Sequence, residues 1–166
     1  GYFRGTADFN PGSATNNLTS ASGTDVFLSK LTPSGGFAFA ERVGGSGDDR
    51  GRGLLVESDG SIAIAGHFAG SVDFDPGNGI FKMSSAGATD AFIAHYAASG
   101  SLLDVRQFGG KGSDMGRAIA RDSANNLYMT GLFSRTATFN TSDSLRSLTS
   151  QGGSDIFVVK VLQTMP

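Results

Sequence analysis

Short apolar runs along the chain alternate with stretches rich in glycine, serine and asparagine. Three of the runs, residues 26–31, 91–96 and 156–161, each follow an aspartate and are rich in β-branched, aromatic and other apolar residues. Runs of this length and composition are typical of a β-strand that is covered on both faces. We therefore predict a buried strand at each of these positions.

Turn signals predict further strands around the buried ones. Residues 37–43 and 102–108 follow Ser34-Gly35 and Ser99-Gly100, which indicates a hairpin with the preceding strand. Two more hairpins are predicted around Asp59-Gly60 and Asn125-Asn126, and their strands are residues 54–57 with 62–65 and residues 118–121 with 127–130. An insertion of about twenty residues precedes each buried strand, and no segment has the spacing of an amphipathic helix.

The whole pattern recurs at an offset of 65 residues, without gaps. Gly1-Tyr2-Phe3 recurs as Gly66-His67-Phe68 and Gly131-Leu132-Phe133, and residues 44–52 match residues 109–117. Nine of the 13 phenylalanines fall in three columns of this repeat, and one aspartate column accompanies them. The columns are Phe3, Phe68 and Phe133; Phe9, Phe74 and Phe139; Phe27, Phe92 and Phe157; and Asp25, Asp90 and Asp155.

Four strands per repeat, joined by tight turns, predict an all-β chain of β-propeller-type repeats. We expect a single repeat domain over residues 1–166, with units at 1–65 and 66–130 and a partial unit at 131–166. A blade cannot bury both of its faces alone, so the phenylalanine columns are expected to fill the space between stacked blades. About two and a half units leave the array open, unless neighbouring chains complete it.

Three motifs resemble the bacterial SBBP (seven-bladed β-propeller) repeats. They are Ser71-Val72-Asp73-Phe74-Asp75-Pro76-Gly77 with its counterpart at residues 6–12, Gly44-Gly45-Ser46-Gly47-Asp48-Asp49, and Thr89-Asp90-Ala91-Phe92. The resemblance covers essentially the whole chain and implies a secreted or surface-displayed bacterial propeller, often part of a larger protein. It supplies no catalytic residues. The third copy departs from the pattern, with Thr141-Ser142 in place of Pro-Gly.

Composition narrows the range of functions. Charged residues make up 17% of the chain and the net charge is −2, so no basic field would attract nucleic acid or anionic lipid. Cysteine is absent from the sequence, which excludes disulfides, thiol catalysis and zinc–thiolate sites. The apolar runs are too short for membrane insertion as helices.

The acidic turns offer one candidate for metal binding. Asp48, Asp49 and Asp114 lie in glycine-rich turns, and Asp73 and Asp75 flank Phe74. Calcium requires six to eight oxygen ligands, commonly from such loops. The spacing matches neither an EF-hand nor a nonapeptide calcium repeat, so a structural role in the turns and a calcium site both stand as interpretations.

Other polar residues favour structural roles. An aspartate that recurs once per repeat before a strand, as Asp25, Asp90 and Asp155 do, is typical of a side chain that stabilises a turn. His67 and His95 occupy columns that hold other residue types in the other copies, and neither has a nearby nucleophile motif. Nothing in the sequence therefore predicts a catalytic site or an obligatory cofactor.

The sequence favours a non-enzymatic extracellular structural or assembly module. Incomplete terminal blades would pair with neighbouring subunits, or with further repeats of a longer chain, to form a ring or a filament. The alternative is a recognition module that binds a glycan or a protein on the propeller face. A propeller enzyme with paired carboxylates is the least favoured reading, because the acidic residues repeat with the blade.

Overall fold

The computed structural model describes residues 1–141 and 144–161, and within these ranges it contains fourteen β-strands and no helix. The strands are β1 (Tyr2–Asp8), β2 (Asn17–Leu31), β3 (Phe37–Gly45), β4 (Arg50–Val56), β5 (Ile62–Phe68), β6 (Ser71–Asp73), β7 (Lys82–Ser84), β8 (Asp90–Tyr96), β9 (Leu102–Gly110), β10 (Met115–Arg121), β11 (Leu127–Phe133), β12 (Thr136–Asn140), β13 (Leu145–Thr149) and β14 (Asp155–Val161). The described residues accordingly include no helix that would cross a membrane.

Three antiparallel sheets, here called blades, follow one another along the chain. The second blade has the four predicted strands in the order β4-β5-β8-β9. Within the described residues, the first blade contains β1, β2 and β3, and the third contains β10, β11 and β14. The prediction of an all-β chain with four-stranded propeller-type repeats is therefore confirmed. The second and third blades each combine residues of two consecutive sequence units, because a unit begins inside the second strand of each.

Stacking of the blades explains why the apolar runs lack alternation with polar residues. All seven residues of β5 are buried. Along β8, Phe92 and Tyr96 pack in the cluster between the first two blades, whereas Ala91 and Ile93 pack in the cluster between the second and third. A strand that is covered on both faces needs apolar residues at every position, as the sequence predicts.

The segment predicted as an insertion instead forms a hairpin of its own. Strands β6 and β7 pair with each other, and β6 also pairs with the last strand of the preceding blade through Gly44↔Asp73 and Gly45↔Val72. Strands β12 and β13 repeat this arrangement on β9, through Gly109↔Thr138 and Gly110↔Ala137. The hairpin therefore extends the outer edge of the neighbouring blade and links consecutive units.

The first unit builds the corresponding hairpin differently. Its two strands are continuous with the blade, so β1 and β2 pair first through Tyr2↔Val26 and then, after an irregularity, through Thr6↔Thr19. Two parts of the third unit lie outside the described residues. They include Ser142, which stands where the other copies have the glycine of Pro-Gly, and the last five residues of the chain.

Candidate functional site

Each repeat contributes three phenylalanines that form one aromatic cluster. In the second repeat, the rings of Phe68 and Phe74 are 5.3 Å apart at an edge-to-face angle, and those of Phe74 and Phe92 are 5.1 Å apart. The first and third repeats contain equivalent clusters at similar distances: Phe3, Phe9 and Phe27, and Phe133, Phe139 and Phe157. Aromatic pairs with this geometry stabilise a core beyond their burial.

Burial of these clusters depends on their place in the stack. Phe74 in the second repeat is 0% exposed, because Val26, Leu28 and Val43 of the first blade pack in the same cluster. Phe3, Phe9 and Phe27 are only half-buried, since no blade within the described residues covers them. We call this half-buried cluster the front face of the first blade.

The third blade has an exposed apolar surface at the opposite end of the stack. Ile156 and Val158 are 74% and 69% exposed, although they occupy the same columns as Ala91 and Ile93, which are 0% and 1% exposed. Lys160 on the same side lies with its Nζ 5.6 Å from the centre of the Tyr128 ring. We call the surface of Ile156 and Val158 the back face of the third blade. It is the side that in the second blade is covered by a neighbour.

Within residues 1–141 and 144–161, no strand pairs with the outer edge of β14 in the third blade. A cleft of about 510 Å³ follows β14, and Phe139, Leu148 and Phe157 are among its lining residues. In the second blade, β9 occupies the equivalent position beside β8, and its Gln107 donates a hydrogen bond to Ser84 O at the end of β7. The cleft therefore corresponds to the place of a fourth strand.

Two buried carboxylates join consecutive blades. Asp49 accepts hydrogen bonds from the backbone N–H of Gly45 (2.9 Å), in the first blade, and from that of Ala69 (3.0 Å), which follows β5 of the second. Asp114 makes the equivalent bonds to Gly110 and Ser134 at the next joint. Burial raises the pKa of Asp49 to about 6, although both backbone hydrogen bonds act in the opposite direction.

The calcium candidates are thus distributed over two joints. Asp48 is exposed and accepts hydrogen bonds from Thr24 N and Thr24 Oγ1, which lower its pKa, whereas Asp114 lies in the following joint. Asp73 Oδ1 accepts bonds from the N–H groups of Asp75 and Phe81. Over residues 1–141 and 144–161, no group of three or more histidine, cysteine or acidic side chains could hold a metal ion. Calcium binding stays a hypothesis with no observation that favours it.

The aspartate column makes the same local hydrogen bond in all three repeats, inside β2 in the first and at the start of β8 and β14 in the other two. Asp25, Asp90 and Asp155 accept a hydrogen bond from the backbone N–H four residues earlier in all three repeats, at 2.9, 3.2 and 2.9 Å. The Oδ2 atom of Asp25 also accepts a bond from Arg42, and that of Asp90 one from Gln107, each at 2.6 Å. These bonds tie each aspartate to neighbouring backbone and side-chain groups, and a structural role for the column stays the prediction.

The two histidines lie in different surroundings. Burial, together with the nearby charges of Arg52, Arg117 and Arg50, lowers the pKa of His67 to about 4. Burial also lowers the pKa of His95. The arginines beside His67 were not identified as functional candidates from the sequence, although Arg52 and Arg117 occupy one column of the repeat.

Comparison with known proteins agrees with the geometry. Residues 105–132, from β9 to β11, match the SBBP family, described as a beta-propeller repeat. The chain is also 32% identical over 108 residues to the Regulatory protein FlaEY of Caulobacter vibrioides, a match that covers 65% of this chain but only 11% of that protein. Residues 105–132 thus resemble a propeller repeat of the SBBP family, in agreement with the all-β architecture of the described residues.

Proposed function

We propose that the chain is a non-enzymatic, extracellular assembly module whose terminal blades pack onto blades of neighbouring repeats. The observation that carries the proposal is the contrast within one column. Ala91 and Ile93 are fully covered by the next blade, whereas Ile156 and Val158 are 74% and 69% exposed. Contiguous apolar surface of this kind marks an interaction site in a protein that remains soluble.

The front face supplies the complementary surface. Inside the chain, the cluster of Phe68, Phe74 and Phe92 packs on the blade before it, so the equivalent cluster of Phe3, Phe9 and Phe27 is built to receive the back face of another blade. Because one chain carries both surfaces, a second copy is the simplest neighbour. Contact between front and back faces is head-to-tail, and such contacts give a ring if they close and a filament if they do not.

The cleft beside β14 supports a second contribution to assembly. An unpaired strand edge has free backbone N–H and C=O groups that pair readily with an added strand. The apolar walls of the cleft would then bury alternate side chains of that strand, as the second blade does with β9.

Sedimentation of the 166-residue chain over a wide range of concentrations tests this proposal. We expect the mean mass to rise with concentration, and a chain carrying Ile156→Ser and Val158→Ser to remain monomeric. Ile80→Ser is the matched control, because Ile80 is 75% exposed but lies in the loop between β6 and β7. A wild-type chain that stays monomeric at every concentration would contradict the proposal.

A further inference from the structure

The first strand of the second and third blades contains a β-bulge at the same repeat position. In β4, Gly51 pairs with Gly66 and Gly53 with Ala65, so Arg52 is the extra residue. In β10, Gly116 pairs with Gly131 and Ala118 with Thr130, so Arg117 is the extra residue. Bulges turn a side chain out of the regular alternation and are frequent beside functional sites. Two successive blades therefore present an exposed arginine by the same device.

The two arginines belong to a cluster to which all three blades contribute residues. The guanidinium carbons of Arg50 and Arg52 lie 5.1 and 5.0 Å from the centre of the Tyr2 ring, within the range of a cation–π contact. His67 pairs with Arg50 across β4 and β5. Gly116, next to Arg117, lies against Gly66, next to His67, since an added Cβ at Gly116 would be 2.6 Å from Gly66 O. The charges of Arg52, Arg117 and Arg50 also lower the pKa of His67. The five residues therefore lie close together.

Positive charge in this cluster is poorly balanced. Arg50 lies 3.7 Å from Asp48, which is itself exposed. Among the described residues, neither Arg52 nor Arg117 makes an ion pair with a carboxylate. The chain as a whole has a net charge of −2, so the local excess of positive charge does not reflect its overall composition.

A buried polar atom in the cluster has no partner. His67 is 4% exposed, and its Nδ1 makes no hydrogen bond within the described residues. Buried polar groups are nearly always paired, and an exception calls for an explanation, of which a bound ion is one. Because the ring is neutral at pH 7, it can donate one hydrogen bond without adding to the repulsion among the arginines.

We propose that this cluster binds an oxyanion, with Arg52 and Arg117 as the principal ligands and His67 at the base of the site. A guanidinium group forms two parallel hydrogen bonds with a carboxylate, phosphate or sulfate group. The Tyr2 ring restricts the conformations of Arg50 and Arg52 before binding, which lowers the entropic cost of complex formation. The inference is independent of the assembly proposal, because the cluster shares no residue with the front face or the back face.

A different role for the bulges leads to a distinguishable result. Strands β4 and β10 are the outermost strands of their sheets, and a bulge with a charged residue also protects such an edge from pairing with another chain. In that case, loss of the arginines would increase self-association and would not affect any ligand.

Isothermal titration of the full chain at low ionic strength tests the site with inorganic phosphate, sulfate and galacturonate as probes. Phosphate and sulfate are tetrahedral anions, whereas galacturonate is a sugar with a carboxylate group. Comparison of the three affinities therefore shows which kind of oxyanion the site prefers. We expect saturable binding of at least one probe, weakened roughly tenfold or more by either Arg52→Gln or Arg117→Gln. Arg146→Gln, on β13, is the control and should bind as the wild type does.

Three results would overturn the inference: no saturable binding of any probe, equal binding by the wild type and the Arg52→Gln, Arg117→Gln double variant, or equal weakening by Arg146→Gln. Circular dichroism of each variant establishes that the fold is retained. If the wild type binds none of the anions and the double variant has a higher mean mass in sedimentation, the bulges protect the strand edges from pairing.

Discussion

Replacement of Phe74 by alanine should lower the free energy of unfolding by about 3–5 kcal/mol. Phe74 is 0% exposed and its ring contacts those of Phe68 and Phe92 edge to face. Its backbone carbonyl accepts a hydrogen bond of 3.1 Å from the Tyr96 hydroxyl. Loss of the buried ring removes its transfer free energy, the two aromatic contacts and the packing around the resulting cavity. Cavity creation should account for much of the loss, because blades on both sides hold the site open.

Phe9→Ala is the matched substitution in the first repeat. Phe9 occupies the same column and has equivalent ring contacts, at 5.2 Å from Phe3 and 4.7 Å from Phe27, but it is only half-buried because no blade covers it. We expect it to cost about half as much as Phe74→Ala, or roughly 1.5–2.5 kcal/mol. The difference between the two variants therefore isolates the contribution of the covering blade.

Urea denaturation at low protein concentration, followed by circular dichroism, measures both losses. Equal losses would refute the argument, because stacking of the first blade would then add nothing to the burial of Phe74. The same measurement at high concentration adds a link to assembly. If a second copy covers the front face, the cost of Phe9→Ala should rise towards that of Phe74→Ala.

Two further predictions concern the joints between blades. Gly45→Ala should detach the β6–β7 hairpin and lower the free energy of unfolding, since a Cβ there would overlap Ser71 O. Gly152→Ala is the control and should be neutral, because nothing lies within 4 Å of its added Cβ. Thermal unfolding of both variants checks this. Asp49 has a folded-state pKa of about 6, above its unfolded value near 3.9, so the folded chain binds this proton more tightly and Asp49 favours folding more at pH 5 than at pH 7. The lowered pKa of His67 has the opposite effect on the pH dependence of stability. The free energy of unfolding of the wild type is therefore compared with that of Asp49→Asn at each pH. A difference between the two proteins that does not change with pH would contradict the prediction.

The sequence predicts the strands that form blades and fails at the hairpins that join them. Residues 91–96 are recognisable as β8 because a strand covered on both faces requires an uninterrupted apolar run. Strand β7 is only three residues long, and Lys82, Met83 and Ser84 carry no such pattern. Its partner β6 is held by pairing with the previous blade, and a contact of that kind leaves no local signal in the sequence.

The candidate surfaces show a related limit. A column of the repeat identifies which residues face a neighbouring blade, so Ile156 and Ala91 are equivalent in sequence. Only the structure shows that one is covered and the other is not. Likewise, the recurrence of Asp49 and Asp114 in glycine-rich turns indicates a structural role, but the backbone groups they bind belong to two different blades and could not be inferred from spacing.

The residues at the ends of the stack favour packing over capping. Terminal units of soluble repeat arrays usually replace apolar interface residues with polar ones, because their outer surfaces meet water. Here the back face keeps the apolar residues Ile156 and Val158, of which Ile156 is larger than its covered counterpart Ala91 and Val158 is one methylene smaller than Ile93. The front face keeps the phenylalanines of all three columns. Both surfaces therefore have the composition of blade–blade interfaces, and burying Ile156 and Val158 alone would contribute roughly 1.5–3 kcal/mol each. A gain of that size explains why another blade, once present, would remain in place.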